Sequence, residues 1–493
     1  MPTLRTALTD PDDIAARSLP RDDLLVREHA VGDTMFEAID GPFRHWTRTL
    51  STVDGLTTET LRYSIAVPHW GRFVDLLLRR PARRGLTAGH QPFWSPADRL
   101  SQRDVTVLGL CATLAVVAGF LGGLVGQTIS YVTDDLGGGT ATQANSLAII
   151  RIGAVLTFAA TALADRRGRR PLMKACLVGA SLASIVTAFA PNVASVTAAQ
   201  LVCRGLVAGA AFLIPIVCSE ELPARSRAYA IGMMTLPGGL GVGMVLWVLP
   251  LMGLGPSSWR LIYLLAAIAL VVTLRTVRLL PETRRFVHDD HTPQERLHQH
   301  MSGARLALLG VGMFLLNIFT SPTQQLQTDY LRNTRGMGTV ALPVFLLLTN
   351  TWGLVGVIAG SQIADRRSRR LAAAIGLVGL AIGNSILFQV SGAAMWVASI
   401  FGSVVGAVAA PALGALLPEL FPTLRRGAAN GLLNGAAVLG SVAGLLAAGH
   451  FITDGNYGPT IMALAAGPLI VAVLVWWLPE TAGVELEELN PDD

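Results

Sequence analysis

"ADRRGRR" at residues 164–170 is answered two hundred positions later by "ADRRSRR" at residues 364–370, and each heptad closes a long apolar run. Nearly the same charged punctuation at a fixed offset marks a duplicated unit. The offset recurs. Glu220-x-x-Pro223-x-x-x-Arg227 matches Glu419-x-x-Pro422-x-x-x-Arg426, 199 residues on. Pro281-Glu282-Thr283 matches Pro479-Glu480-Thr481 at an offset of 198, and Gln127-Thr128 matches Gln327-Thr328 at 200.

The apolar runs decide what is duplicated. Of 493 residues, 52% are hydrophobic and 14% charged, and the mean hydropathy is +0.51. A soluble globule of this length carries more polar surface. From residue 104 onward twelve apolar stretches follow one another, the first at 105–128 and the last at 458–478. Each is close to the ~20 residues that cross a hydrocarbon layer of ~30 Å. Arginines crowd the loops after every second stretch: Arg166, Arg167, Arg169 and Arg170, then Arg225 and Arg227, Arg284 and Arg285, Arg366 through Arg370, and Arg425 and Arg426. The other loops hold Asp134, Asp135 and Asp454, with Arg332 and Arg335 as exceptions. The positive-inside rule then predicts a multi-pass protein of the plasma (inner) membrane with both termini cytoplasmic.

Charge and cysteine usage exclude other classes. The formal charge of +5 comes almost wholly from arginine, since Lys174 is the only lysine, which points to a GC-rich genome. The basic residues sit in short clusters between apolar runs, so no nucleic-acid partner is expected. Cys111, Cys176, Cys203 and Cys218 lie inside apolar stretches with no CxxC spacing and read as small hydrophobes. "HDDHTPQERLHQH" at 288–300 gathers four histidines and two aspartates, but at no tight ligand spacing, so no metal is expected. The polar opening of the chain carries no cleavable signal peptide pattern. There is no GxxxxGK[ST] loop for ATP, and no stretch carries a nucleophile–base pair, so neither an enzyme nor a cofactor is expected.

Six helices, a loop and six more with the same punctuation form a parallel two-fold repeat, the plan of a rocking-bundle carrier with its site between the halves. The expected fold is an all-α membrane protein of twelve transmembrane helices in two six-helix pseudo-repeats, with a small α+β or partly ordered cytoplasmic N-terminal region. The boundaries follow: 1–103 for that region, 104–280 and 304–478 for the bundles, 281–303 for the connector and 479–493 for the tail. On these motifs the sequence resembles the major facilitator superfamily, whose loop after the second span reads Gly-x-Leu-Ala-Asp-Arg-x-Gly-Arg-Arg. The Glu-x-x-Pro-x-x-x-Arg and Pro-Glu-Thr motifs resemble its sugar-porter and organic-ion branches. Departures stand at Thr161 and Ser361 for the first glycine and at Ser368 for the second. Ser368 argues against a left-handed turn there.

A carboxylate where a spanning helix ends, beside a loop of guanidinium groups, suits a latch that is made in one conformation and broken in another. This reading covers Asp165 with Arg166, Arg169 and Arg170, Asp365 with Arg366 and Arg369, Glu220 with Arg227, and Glu419 with Arg426, with Glu282 and Glu480 as further partners. Lipid anchoring by the same arginines is the plainer alternative.

Family resemblance implies that spans 1, 4, 7 and 10 line a central cavity. The polar residues there are Gln127 and Tyr131 on span 1, Arg204 on span 4, and Asn317, Gln324 and Gln325 on span 7, all substrate-site candidates that could equally be interhelical hydrogen bonds. Arg151 and Arg204 are guanidinium groups inside the membrane and need a partner. Asp134–Asp135 and an anionic substrate group are the two candidates, with Arg151 assigned a structural or gating part.

Within 1–103, "LTTETLRYSIAV" at 56–67 alternates like a strand, and "HWGRFVDLLLRRPARRG" at 69–85 reads as a basic amphipathic helix. Tyr63 through Arg80 resembles the end of a truncated helix-grip lipid-binding domain; a helix lying on the membrane surface is the alternative. The function expected is secondary transport of a small organic solute by alternating access, with protons as the coupling ion the family implies. A membrane sensor that keeps the fold without transporting is the alternative. The partners expected are the small-molecule substrate and membrane lipid, and the chain is expected to be a monomer.

Overall fold

The computed structural model describes residues 2–54, 56–86, 96, 98–155, 169–223, 226–281, 303–421, 426–452 and 456–480. Side chains at 155, 219–220, 227–232, 365–366, 415, 417–419, 426–428 and 430 fall outside that description.

The N-terminal region runs β1 (Thr3–Leu8), α1 (Pro11–Arg17), β2 (Arg27–Ala30), β3 (Met35–Asp40), β4 (Phe43–Val53), β5 (Leu56–Ile65) and α2 (Gly71–Arg84). The strands form one antiparallel sheet in the order β1-β5-β4-β3-β2. The strand expected at 56–67 is β5 and the helix expected at 69–85 is α2. The two-residue period explains which face is covered. Trp46, Arg48 and Leu50 on β4, with Glu59, Leu61 and Tyr63 on β5, are buried, while the alternate residues Arg44 and Arg62 are exposed. Helix α1 places Ile14 over Leu8, Phe36 and Leu50. Helix α2 places Leu78 and Ala82 over Phe43, Trp46 and Tyr63, and Tyr63 donates to Asp75 of α2 at 2.7 Å. Burial, followed by that bond, pushes the Tyr63 phenol well above its ordinary range.

A charged cluster is sealed inside this layer. Arg48, 0% exposed, bonds Glu28 through Nη2 at 2.6 Å and Nε at 3.0 Å, reaches Glu59 at 3.4 Å and donates to the Leu19 carbonyl at 2.9 Å. Trp46 Nε1 donates to Glu28 at 2.7 Å, and the guanidinium carbon lies 4.2 Å from the Phe36 ring centre.

The first half of the membrane part comprises α3 (Gln102–Asp135), α4 (Thr140–Ile152), α5 (Arg169–Thr187), α6 (Val193–Glu221), α7 (Arg227–Val248) and, after a short turn of helix, α8 (Ala266–Leu279). The second comprises α9 (Gly303–Gln325), α10 (Ala341–Thr351), α11 (Gly353–Arg366), α12 (Arg369–Leu387), α13 (Ala393–Ala407), α14 (Ala409–Glu419), α15 (Arg426–Phe451), α16 (Tyr457–Leu464) and α17 (Ala466–Leu474). Lipid offers no hydrogen bonds, so each apolar stretch closes its own as helix. Among the described residues, ten helical segments are long and apolar enough to cross a membrane. The second of the twelve apolar stretches begins as α4 and runs into residues outside the description. The third is α5, whose first turns carry Arg169, Arg170 and Lys174.

Residues 98–103 tie the two parts together. Arg99 bonds Asp22 and the Asp23 carbonyl at 2.7 Å. The Asp98 amide donates to Ser226 Oγ at 3.0 Å, and Arg103 pairs with Glu221 at 3.0 Å.

Removing Arg48 leaves Glu28 buried with its charge uncompensated. Arg48→Ala should therefore destabilise the N-terminal region by about 3–5 kcal/mol, measured as lost protease protection of residues before 86 during denaturation of the full chain. Arg48→Met with Glu28→Leu should recover part of that loss.

Candidate functional site

Arg204 lies eleven residues after Val193 and seventeen before Glu221, near the middle of α6. It points at α3: one terminal nitrogen is 3.8 Å from where a Cβ on Gly122 would sit. Its Nε is buried and bonds nothing among the described residues. Arg151 occupies the same layer on α4. Just after it, Gly153 lets the chain touch α6 so closely that a Cβ there would be 2.2 Å from the Leu201 carbonyl oxygen. Among the described residues neither guanidinium forms an ion pair with a carboxylate.

Asp134 and Asp135 do not compensate them. Asp134 pairs with Arg332 of the second half at 2.8 Å, and Asp135 accepts from Trp259 Nε1 at 2.8 Å. The reason is depth. Asp134 is twelve residues past Gly122 on one helix, about 18 Å at ~1.5 Å per residue.

Further polar contacts close that far end. Arg332 lies over the Tyr131 ring, 3.8 Å from its centre, while the buried Tyr131 hydroxyl bonds nothing among the described residues. Gln127 Oε1 accepts from Thr328 Oγ1 at 2.7 Å, so residues from the duplicated Gln-Thr pairs meet across the halves. The converse bond is replaced, because Thr128 pairs with Tyr263 at 2.9 Å. Gln325 Oε1 is buried without a partner among the described residues, against Gly126, where a Cβ would stand 2.5 Å from it. Asp329, 3% exposed, accepts from Asn333 at 2.8 Å and from the Tyr457 hydroxyl.

Gly122 and Gly126 lie one helical turn apart on α3, so Arg204 and Gln325 meet the same face of that helix about 6 Å apart along its axis, whereas Gln127 is turned to Thr328. Asn317 is engaged elsewhere, donating to the Met313 carbonyl at 2.9 Å and accepting from Ser441 at 3.4 Å. Gln324 is exposed.

At the arginine-rich end the two halves show a shared device. Arg170 donates to the carbonyls of Val277 at 3.1 Å and Arg278 at 3.2 Å. Its repeat-mate Arg370 donates to the Trp476 carbonyl at 3.3 Å. Each arginine donates to carbonyls at the C-terminal end of its own half, Arg370 in the short turn that follows α17. Glu480 completes the second copy. It accepts from the Arg369 amide at 3.0 Å and from Ser368, and lies 3.8 Å from Arg370. Ser368 makes no left-handed turn, as its departure from glycine implied: it is extended (φ −166°) and caps α12 through Leu371 N at 3.1 Å. Asp165, Arg166, Glu282 and the histidine-rich 288–300 lie outside the described residues, as do the side chains of Glu220, Arg227, Asp365, Arg366, Glu419 and Arg426. Sequence reasoning missed Arg332 and Tyr457. Arg332 had a signal, as one of two cations, with Arg335, in a loop set otherwise nearly bare of positive charge.

Asp134 and Arg332 are 44% and 26% exposed, so the pair is worth roughly 1 kcal/mol or less. Arg332→Ala should raise maleimide labelling of Gln325→Cys from the far side up to about fivefold. The charge-swapped Asp134→Arg/Arg332→Asp should restore slow labelling; if it labels as fast as the single variant, the pair does not hold that end shut.

The sequence profile of the Major Facilitator Superfamily matches residues 111–372 and 306–489. A gallate transporter of Pseudomonas putida is 26% identical over 326 residues, 56% of this chain and 69% of the relative. Monosaccharide-sensing protein 1 of Arabidopsis thaliana is 32% identical over 189 residues, 36% of this chain but 25% of the relative's length. The inward-open xylose transporter XylE from E. coli superposes with a TM-score of 0.67 at 17% identity, covering 79% of this chain and 99% of that one. The nucleoside transporter NupG gives 0.60 at 14% identity, over 76% of this chain and 98% of that one. With the duplicated motifs at one end of two like bundles and polar contacts joining the halves at the other, the chain belongs to the major facilitator superfamily.

Proposed function

We propose that this chain is a secondary transporter that carries a small organic anion, a carboxylate, across the membrane by alternating access between its halves. One observation carries the substrate class: Arg204 is set mid-membrane with a buried Nε that bonds nothing among the described residues, and Arg151 adds like charge in the same layer. A guanidinium at mid-depth costs at least ~2.5–3.5 kcal/mol on insertion scales, and a bound carboxylate offsets that cost through paired, charge-assisted bonds. Gln325 supplies a polar group against the same face of α3. The gallate transporter, matched over more of its length than the sensing protein, supports transport over sensing.

In this reading twelve spans make two six-helix halves, and the arginine-rich end with both termini faces the cytoplasm. The far end is then the outer one, held shut by Asp134–Arg332 and Gln127–Thr328, so the conformation is inward-facing. Asp165, Asp365 and their arginines, with Glu220–Arg227, Glu419–Arg426 and Glu282, act with Glu480 as the inner latch that forms when the halves rock. Protons are the coupling ion, and Asp329 is the buried carboxylate that supports this.

Arg204→Ala should cut carboxylate uptake into proteoliposomes by about 10- to 100-fold, the loss of a charged hydrogen bond of ~1.5–3 kcal/mol. Arg151→Ala should chiefly lower stability or gating. Uptake of a neutral sugar that Arg204→Ala leaves intact would overturn the anionic reading.

A cysteine placed in the 281–303 connector should react only from the cytoplasmic side of intact cells. Labelling from outside would overturn the proposed topology.

A further inference from the structure

Helix α2 carries five arginines and one aspartate in fourteen residues. Its inner face is used: Leu78, Pro81 and Ala82 are buried against the sheet. Its outer face is apolar where a soluble domain would be polar. Phe73, Leu76 and Leu77 are 63%, 68% and 43% exposed, and the spacing 73-76-77-80-84 continues this stripe into the exposed Arg80 and Arg84. Arg72, Arg79 and Arg83, also exposed, flank it. Contiguous exposed apolar surface rimmed with charge marks an interaction site.

Where the helix begins says what it meets. His69 takes a left-handed backbone (φ 62°), a conformation side chains other than glycine seldom adopt, and this turn swings the chain from the sheet onto α3. Trp70 Nε1 then donates to Thr113 Oγ1 at 3.0 Å, and Thr106 Oγ1 donates to the Ala66 carbonyl at 3.0 Å. Val67 and Pro68 press on Gly109, where a Cβ would meet them at 2.7 and 2.9 Å.

These contacts set a height. The 34 residues of α3 extend about 51 Å at ~1.5 Å per residue, against a hydrocarbon layer of ~30 Å. Gln102, Arg103 and Asp104 are polar, and Val107 to Ile129 is apolar apart from Thr113, Gln127 and Thr128. Twenty residues back from the far apolar limit reaches about Leu110, so Gly109 and Thr113 bracket the hydrocarbon boundary at the arginine-rich end. Trp70 sits at that boundary, a level that suits an indole. Phe73, Leu76 and Leu77 follow within two helical turns.

We propose that α2 is an interfacial helix: Phe73, Leu76 and Leu77 enter the acyl region of the leaflet at the arginine-rich end, and its arginines bind anionic lipid headgroups. The N-terminal sheet is thereby held against the bilayer through α2 as well as through α3. Five arginines so placed select an anionic leaflet over a zwitterionic one.

The four native cysteines are buried, so a single exposed cysteine in the full chain can be labelled selectively with an environment-sensitive fluorophore. In nanodiscs of phosphatidylcholine and phosphatidylglycerol, a label on Leu76→Cys should be quenched by brominated acyl chains and protected from aqueous iodide. A label on Ile39→Cys, 62% exposed on the sheet, should behave oppositely. Adding Arg80→Glu and Arg84→Glu should remove most of the bromolipid quenching at Leu76→Cys, as should pure phosphatidylcholine. Iodide quenching at Leu76→Cys equal to that at Ile39→Cys would overturn the proposal. Protection from both quenchers would also overturn it, because protein, such as a second copy of the chain, would then cover the face.

Discussion

Hydrocarbon supplies no hydrogen bonds and little dielectric screening, so a charge inside it must find a partner or move to an end. Several charges among the described residues sit at helix ends. Arg170 and Arg370 reach carbonyls at the C-terminus of α8 and in the last turn after α17, and Glu480 accepts from the Arg369 amide at the N-terminus of α12. These contacts tie helices of one half to one another, and alternating access moves such halves as units.

Contacts between the halves obey different demands. Asp134–Arg332 is partly exposed and therefore weak, and Gln127–Thr328 is a single neutral bond. An interface that must open and close within each cycle cannot be held by many kilocalories. Duplication gave both halves the same Gln-Thr pair, yet only one crossing bond forms, because Tyr263 takes Thr128. Asymmetry of this kind lets repeated sequence build a site that is not itself symmetric. The two arginines in the first half are the clearest case: Thr351 stands where a repeat of Arg151 would fall.

The N-terminal sheet joins the bundle by a linker that reaches the Glu220–Arg227 loop, through Asp98–Ser226 and Arg103–Glu221. Its interior holds Arg48 among two glutamates, a cluster that costs desolvation and gives one arrangement in return. That sheet therefore offers a fixed surface to its neighbours.

By itself the sequence determined the membrane class, the duplicated plan, the punctuating motifs and the two surface elements at 56–67 and 69–85. These are legible because period, run length and charge placement are local properties that lipid reads directly. It also marked Arg151 and Arg204 as costly. That Asp134 is not their partner was decided only by the tertiary structure, where it lies about 18 Å along α3 from Gly122 and faces Arg332. The same holds for Ser368, whose departure from glycine reads locally as a lost turn. In the fold it caps α12 through Leu371 N, and the packing of the second half also brings Glu480, 112 residues away in sequence, to its hydroxyl. Partners separated by a hundred residues or more leave no trace in local pattern. Packing alone brings them together.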